Sequence, residues 1–236
     1  MRVGEAKTPE GMRIYAVGDV HGCDAMLAEV HARIAADLAA RPPGDHRIVH
    51  IGDYADRGPD SAGVIGRLAA MTANDRRVIC LRGNHDQMLI DFLTDPEAGA
   101  PILLGNGGKE TLRSYGVVLR SANYETLGRQ LRELMPEAHR AFLEALPLAT
   151  QFGDYLFAHA GIRPGVPLGA QDPVDLIWIR DEFLFDGRDH GVVVVHGHTP
   201  ATEPEVRSNR INIDTGAVYG GPLTCLVLEG TEYRFL

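Results

Sequence analysis

Five short stretches of this chain gather residue types that bind divalent ions. They are GDVHG at 18–22, GDYADRG at 52–58, GNHD at 83–86, HAG at 159–161 and GHT at 197–199. Asp19 and His21 are two residues apart, so on an extended segment their side chains leave one face. A carboxylate beside a neutral imidazole suits a borderline or hard divalent ion. Asp53 has two carboxylate oxygens and could bridge two such ions, while Asn84, His159 and His198 could complete the second. A donor set of oxygen and nitrogen without thiolate points to Mn²⁺, Fe or Zn²⁺ in a reactive centre, not to a structural zinc. Each stretch alone has a plainer reading. A histidine at a strand end is commonly a hydrogen-bonded structural residue, and Gly-Asp punctuates turns. Five in this order, each closing an apolar run, exceed what turn chemistry produces.

The runs that must position these residues alternate with amphipathic stretches. Residues 13–17 (RIYAV), 46–51 (HRIVHI) and 77–81 (RVICL) read as strands stopping at Gly18-Asp19, Gly52-Asp53 and Gly83-Asn84. Between them, Asp24 is expected to cap a helix with Leu27, Val30, Ile34 and Leu38 on one face, ended by Pro42-Pro43-Gly44. A second helix is expected over 61–73. This βαβαβ order predicts a mostly parallel sheet, and ligands of such sheets bind beyond the carboxyl ends of the strands. Residues 87–150 read as a mostly helical insert, with a flexible stretch over 99–108 and helices over 126–135 and 136–146. The last of these opens on a proline suited to a first helical turn. Residues 155–159, 192–196, 211–214, 223–228 and 233–236 then read as strands, most simply a second sheet packed on the first. With no repeat or linker in view, 1–236 is expected to form a single domain.

Composition narrows the function classes. Basic residues number 23 and acidic ones 32, a net charge of −9, which disfavours non-specific nucleic-acid binding. Hydrophobic residues at 44% and charged ones at 23% argue against a largely disordered chain. Cys23, Cys80 and Cys225 lie far apart with no CxxC, against a disulfide framework and in keeping with a reducing compartment. The polar start carries no apolar signal region, and the aliphatic run at 192–195 is too short to span a bilayer. A cytoplasmic protein with no membrane partner is expected.

The five stretches together resemble the phosphoprotein phosphatase family of metallophosphoesterases, in the compact form of the small bacterial and bacteriophage-lambda-type serine/threonine phosphatases. The resemblance runs over about 13–228 and is weakest in the insert. It implies an α/β fold: a two-sheet β-sandwich flanked by helices, with two divalent ions, Mn²⁺ foremost and Fe, Zn²⁺ or Ni²⁺ as alternatives. By the same resemblance, Asp19 and His21 match ligands of the first ion, and Asp53 matches the bridging ligand. Asn84, His159 and His198 match ligands of the second ion. Arg57 matches the arginine that holds the phosphoryl group, with Arg180 in IWIRDEF a looser second. His85 matches the general acid and Asp56 the carboxylate that orients it. These roles suit the chemistry, because phosphoryl transfer is mainly positioning and charge stabilisation, and planar guanidinium groups match phosphate oxygens. His196 shares a strand face with His198 and reads as a packed histidine, and Cys23 reads as a small core residue.

The substrate follows less directly. The Asp before Arg in YADRG favours a phosphoserine or phosphothreonine protein phosphatase, with a phosphoprotein or small phosphate ester as partner. The alternative is a symmetrical diadenosine tetraphosphatase or related nucleotide phosphohydrolase or phosphodiesterase, which shares the metal set. A non-catalytic phosphate-binding module is a third reading, disfavoured because every matched ligand and the matched acid are present. The NGG stretch at 106–108, with Thr111 after it, has no role on sequence grounds alone.

Overall fold

A computed structural model describes residues 1–120 and 123–236. The three expected strands form as β1 (Met12–Val17), β2 (Asp45–His50) and β3 (Val78–Cys80), paired in parallel. Helices α1 (Asp24–Ala40) and α2 (Ser61–Asn74) make the crossovers. Alternation along β1 sets its two faces. Ile14 and Ala16 enter the core between the sheets, whereas Tyr15 and Val17 pack against the helices.

The second sheet contains β4 (Ala149–Phe152), β5 (Tyr155–Ala158), β6 (Val193–His196), β7 (Glu205–Val206) and β8 (Arg210–Asn212), in the order β4-β5-β6-β8-β7. Its strands β5, β6 and β8 are parallel. Tyr155, Phe157, Val193, Val195 and Ile211 meet Ile14, Val49 and Ile51 of the first sheet. On the outer face, Leu156 and Val194 pack under α8 (Pro173–Trp178) and α9 (Asp181–Leu184) through Leu176, Ile177 and Phe183. The result is two mixed sheets face to face, with helices outside both.

The last two strands depart from expectation. β9 (Cys225–Glu229) and β10 (Glu232–Phe235) join the first sheet, with β9 antiparallel to β1. The pattern of β9 fits that place: Leu226 and Leu228 face the second sheet, and Cys225 and Val227 face the helices. Local details differ as well. Asp24 is the first residue of α1 and makes no cap, because Arg67 takes both its oxygens at 2.7 Å. Pro136 flanks α7 (Glu137–Ala145) as its N-cap.

Asn84 opens helix α3 (Asn84–Thr94) where a strand end was expected. The stretch read as flexible is largely helix α4 (Pro96–Gly105), started by the Asp95 side chain accepting from the Ala98 N–H at 3.0 Å. Helices α5 (Gly108–Ser114) and α6 (Tyr124–Leu134) follow. Leu89, Phe92, Leu103, Leu112, Leu131 and Leu143 place α3–α7 in the same core as α1 and α2. Among the described residues, no helix is long and apolar enough to cross a membrane.

Candidate metal centre

Every residue of the predicted constellation leaves the carboxyl end of a parallel strand. Asp19 follows β1, Asp53 follows β2, Asn84 follows β3, His159 follows β5 and His198 follows β6. All five are buried, as is His21. Among the described residues, the non-glycine positions with positive φ are His21, Asp53, Asp56, Arg57 and His198, between 43° and 72°. Each such position costs on the order of 1–3 kcal/mol and persists only where its surroundings enforce it. At His21 the enforcing contacts are backbone to backbone. The Val20 and His21 N–H groups both donate to the Asp53 carbonyl, at 3.2 and 2.8 Å, and the Gly22 N–H donates to the Tyr54 carbonyl at 2.9 Å. A Cβ on Gly58 would fall 1.8 Å from the His21 carbonyl oxygen, so this closeness requires glycine. Asp86 ties the third loop in by accepting from the N–H groups of Gly83, Asp53 and Tyr54 at 2.9–3.0 Å.

The protonation pattern shows what this arrangement accommodates. His21 Nδ1 lies 2.8 Å from the Ala55 carbonyl and His159 Nδ1 lies 3.1 Å from the Ile51 carbonyl. A carbonyl only accepts, so both Nδ1 atoms carry the proton and both Nε2 atoms present lone pairs. Those lone pairs face the two oxygens of Asp53: His21 Nε2 to Oδ2 and His159 Nε2 to Oδ1, each at 3.4 Å. For His159 and Asp53 this sets acceptor against acceptor in a buried site, which is unfavourable unless a cation sits between them; His21 Nε2 is also reached by the Arg57 guanidinium at 2.7 Å. A gap of 3.4 Å also matches neighbouring donor atoms that each lie ~2.0–2.2 Å from one ion. The two clusters His21/Asp53/His85 and Asp53/His159/His198 share Asp53, with their donor atoms within 4.8 Å of one another. Among the described residues, Asp19 Oδ1 and His198 Nε2 are buried with no hydrogen-bond partner. Burial holds His21 near pKa 3 and His198 near 2, keeping both imidazoles neutral as ligands must be. Asp19 is pushed up by burial and by the charges of Asp214 and Asp53. The residues present therefore fit two divalent ions about Asp53.

Beside the clusters stands an imidazole paired with a carboxylate. His85 Nδ1 donates to Asp56 Oδ2 at 2.7 Å. Burial opposes a charge on His85, but the Asp53 and Asp56 carboxylates outweigh it and hold its pKa above the usual histidine value. Arg57 donates to His21 Nε2 and His85 Nε2, each at 2.7 Å. Arg180 is exposed at the rim, donating to Thr199 Oγ1 at 3.2 Å.

Thr111 and Gly107 are the residues whose roles the sequence hid. The Thr111 hydroxyl donates to Asp56 Oδ1 at 2.7 Å and accepts from the Asp56 N–H at 2.8 Å, while Ser61 Oγ stands 3.0 Å away. One threonine thus fixes both the backbone and the carboxylate of the residue that orients His85. Thr111→Val is expected to lower kcat on alkyl phosphates about tenfold, within the range for lost supporting hydrogen bonds at metal sites. Thr111→Ser should restore most of it, and a silent Thr111→Val would contradict the assignment. Gly107, at φ 99°, accepts the Arg57 N–H at 3.0 Å, and a Cβ there would meet Arg57 Cγ at 2.8 Å. Asp214, two residues past β8, also went unassigned; burial first, with Asp53 adding, raises it to about pKa 6.

His196 is a packed strand histidine, its ring edge-on to Phe183 at 5.1 Å and its Nε2 3.3 Å from Arg210. Burial pushes the Cys23 thiol above its usual value, which disfavours a reactive thiolate.

A protein-family model for the calcineurin-like phosphoesterases matches residues 12–225, and the chain belongs to that family. Membership implies divalent metal ions, and the clusters about Asp53 are where they fit. A bis(5'-nucleosyl)-tetraphosphatase of the asymmetrical type from Oceanobacillus iheyensis is 29% identical over 94% of this chain and 91% of its own length. The protein of that name from Bacillus cereus is 27% identical over 91% and 90%. A crystal structure with a provisional diadenosine tetraphosphatase label superposes with a TM-score of 0.67 at 22% identity, covering 98% of this chain and 97% of that one, which supports the fold. The relatives overturn the expected serine/threonine protein phosphatase. Asp56 of YADRG bonds His85 and Thr111, and neither contact separates a phosphoprotein from another phosphate ester.

Proposed function

We propose that this chain is a divalent-metal-dependent hydrolase of dinucleoside polyphosphates, cutting asymmetrically to a nucleoside monophosphate and a nucleoside triphosphate. The observation that carries the reading is its likeness to asymmetrical bis(5'-nucleosyl)-tetraphosphatases over nine-tenths of both chains. The sequence alternative named the symmetrical cut; the relatives' names favour the asymmetrical one. Residues 1–236 act as one domain, and the free thiols Cys23, Cys80 and Cys225 agree with a cytoplasmic setting.

Asp19, His21 and Asp53 hold one ion, and Asp53, Asn84, His159 and His198 the other, with Mn²⁺ the foremost candidate for this oxygen-and-nitrogen set. Such ions supply positive charge to the transferring phosphoryl group and acidify water. Arg57 takes the oxygens of the attacked phosphate, and Arg180 takes a phosphate further along the chain. Once Arg57 turns from His85 Nε2 to the phosphate, His85, held through Nδ1 by Asp56, can carry a proton on Nε2 and pass it to the leaving oxygen. Arg57→Ala is expected to raise KM about tenfold or more and to weaken inhibition by inorganic phosphate in parallel, since a charged hydrogen bond contributes about 1.5–3 kcal/mol. An unchanged phosphate inhibition constant would remove Arg57 from this role.

Chromatography of the products of diadenosine tetraphosphate tests the reading. ATP with AMP supports it. Two ADP molecules would overturn the position of the cut, and intact substrate would overturn the function.

A further inference from the structure

Two aromatic rings stand at the rim of the centre with much of their surface in water. Tyr219 closes a 3₁₀ turn, Ala217–Tyr219, bracketed by Gly216 and Gly220 at positive φ, and is 66% exposed. The Arg57 guanidinium carbon lies over its ring, 5.7 Å from the centroid. Trp178, the only tryptophan of the sequence, ends α8 and is 39% exposed. It meets His198 edge-on with centroids 6.0 Å apart. Through Arg57, Tyr219 borders the His21/His85 flank of the centre, whereas Trp178 borders the His159/His198 flank.

We propose that Tyr219 and Trp178 are stacking platforms for the two nucleobases of the substrate, one on each flank. The inference rests on the dinucleoside polyphosphate reading and deepens it by naming what recognises the nucleosides. Phosphate needs cations, and Arg57 and Arg180 supply them; exposed aromatic rings add nothing to phosphate binding. A nucleobase offers a flat π-face of any sequence, which is what an exposed ring binds. Arg57 lies over one face of Tyr219, whose ring is otherwise largely in water, so one arginine would contact both the attacked phosphate and the ring that holds its nucleoside. An asymmetrical cut brings this closeness where water attacks the phosphorus that carries a nucleoside directly. Trp178 then serves the far nucleoside.

The test compares AMP with ribose 5-phosphate, which differ by the base alone, on the metal-loaded enzyme by calorimetry. AMP is expected to bind about tenfold more tightly, the lower part of the range for one base on one ring. Tyr219→Ala should bring the ratio of the two dissociation constants to about one, and Tyr219→Phe should keep it. For Trp178→Ala, KM for diadenosine tetraphosphate should rise about tenfold relative to KM for p-nitrophenyl phosphate. Equal binding of AMP and ribose 5-phosphate by the unmutated enzyme, or a ratio unmoved by Tyr219→Ala, would overturn the Tyr219 platform. A parallel rise of both KM values would overturn that of Trp178. Hydrolysis of diadenosine tetraphosphate by the unmutated protein separates the two failures: if it proceeds while the base ratio is one, the platforms alone are wrong.

Discussion

Asp53→Asn should lose metal and turnover together while leaving the protein folded. Asp53 is the residue both histidine clusters share, and each of its oxygens opposes an imidazole lone pair at 3.4 Å. An asparagine replaces one of those oxygens with a donor, which can satisfy an Nε2 atom directly. The apoprotein would then no longer set both Asp53 oxygens against imidazole nitrogens, and one negative charge would leave the neighbourhood of Asp19 and Asp214. Metal content should fall from two ions to one or none. Turnover should fall on the order of a thousandfold or more, the scale for losing charge stabilisation aimed at a transition state. Thermal unfolding of the metal-free variant should occur no lower than that of the metal-free parent. Two tightly held ions in the variant, with normal turnover, would rule out the bridging role.

His85→Asn should divide substrates by leaving group. A general acid contributes about 10²–10⁴-fold where the leaving oxygen is a poor one. An alkyl phosphate expels an alkoxide and should lose that full factor, and p-nitrophenyl phosphate should lose less. A dinucleoside polyphosphate expels a phosphate oxygen, and a phosphate monoester has a second pKa of only about 6. It should therefore lose least. Metal content must be measured alongside, because His85 also lies in the cluster with His21 and Asp53. Equal losses on all three substrates together with lost metal would make His85 a ligand and not the acid.

Much of the site could be read from the chain because its donors sit in short stretches whose glycines are visible. Gly22, Gly52, Gly58 and Gly197 mark the places where His21, Asp53, Arg57 and His198 take up left-handed backbone. The parallel strands were legible from their β-branched runs, and so was the rule that donors gather at their carboxyl ends. What pairing β9 would adopt was not legible: its alternation fits an inner strand of either sheet, and only the assembled core selects β1. Thr111 was invisible as a partner of Asp56 because 55 residues separate them and the contact depends on how α5 packs on α2. Asp214 resembled the end of an ordinary strand. The substrate was misread because the feature used to decide it, Asp56, is bonded to His85 and Thr111, contacts that carry no information about the group esterified to the phosphate.

The most direct test of the account compares catalytic efficiencies on metal-stripped protein reloaded with Mn²⁺. Diadenosine tetraphosphate and a phosphoserine peptide would be measured side by side, each over its full range of concentrations. The account predicts a higher kcat/KM for the dinucleotide, by about a hundredfold or more if both platforms contribute about tenfold each. A phosphopeptide turned over as efficiently as the dinucleotide would contradict it.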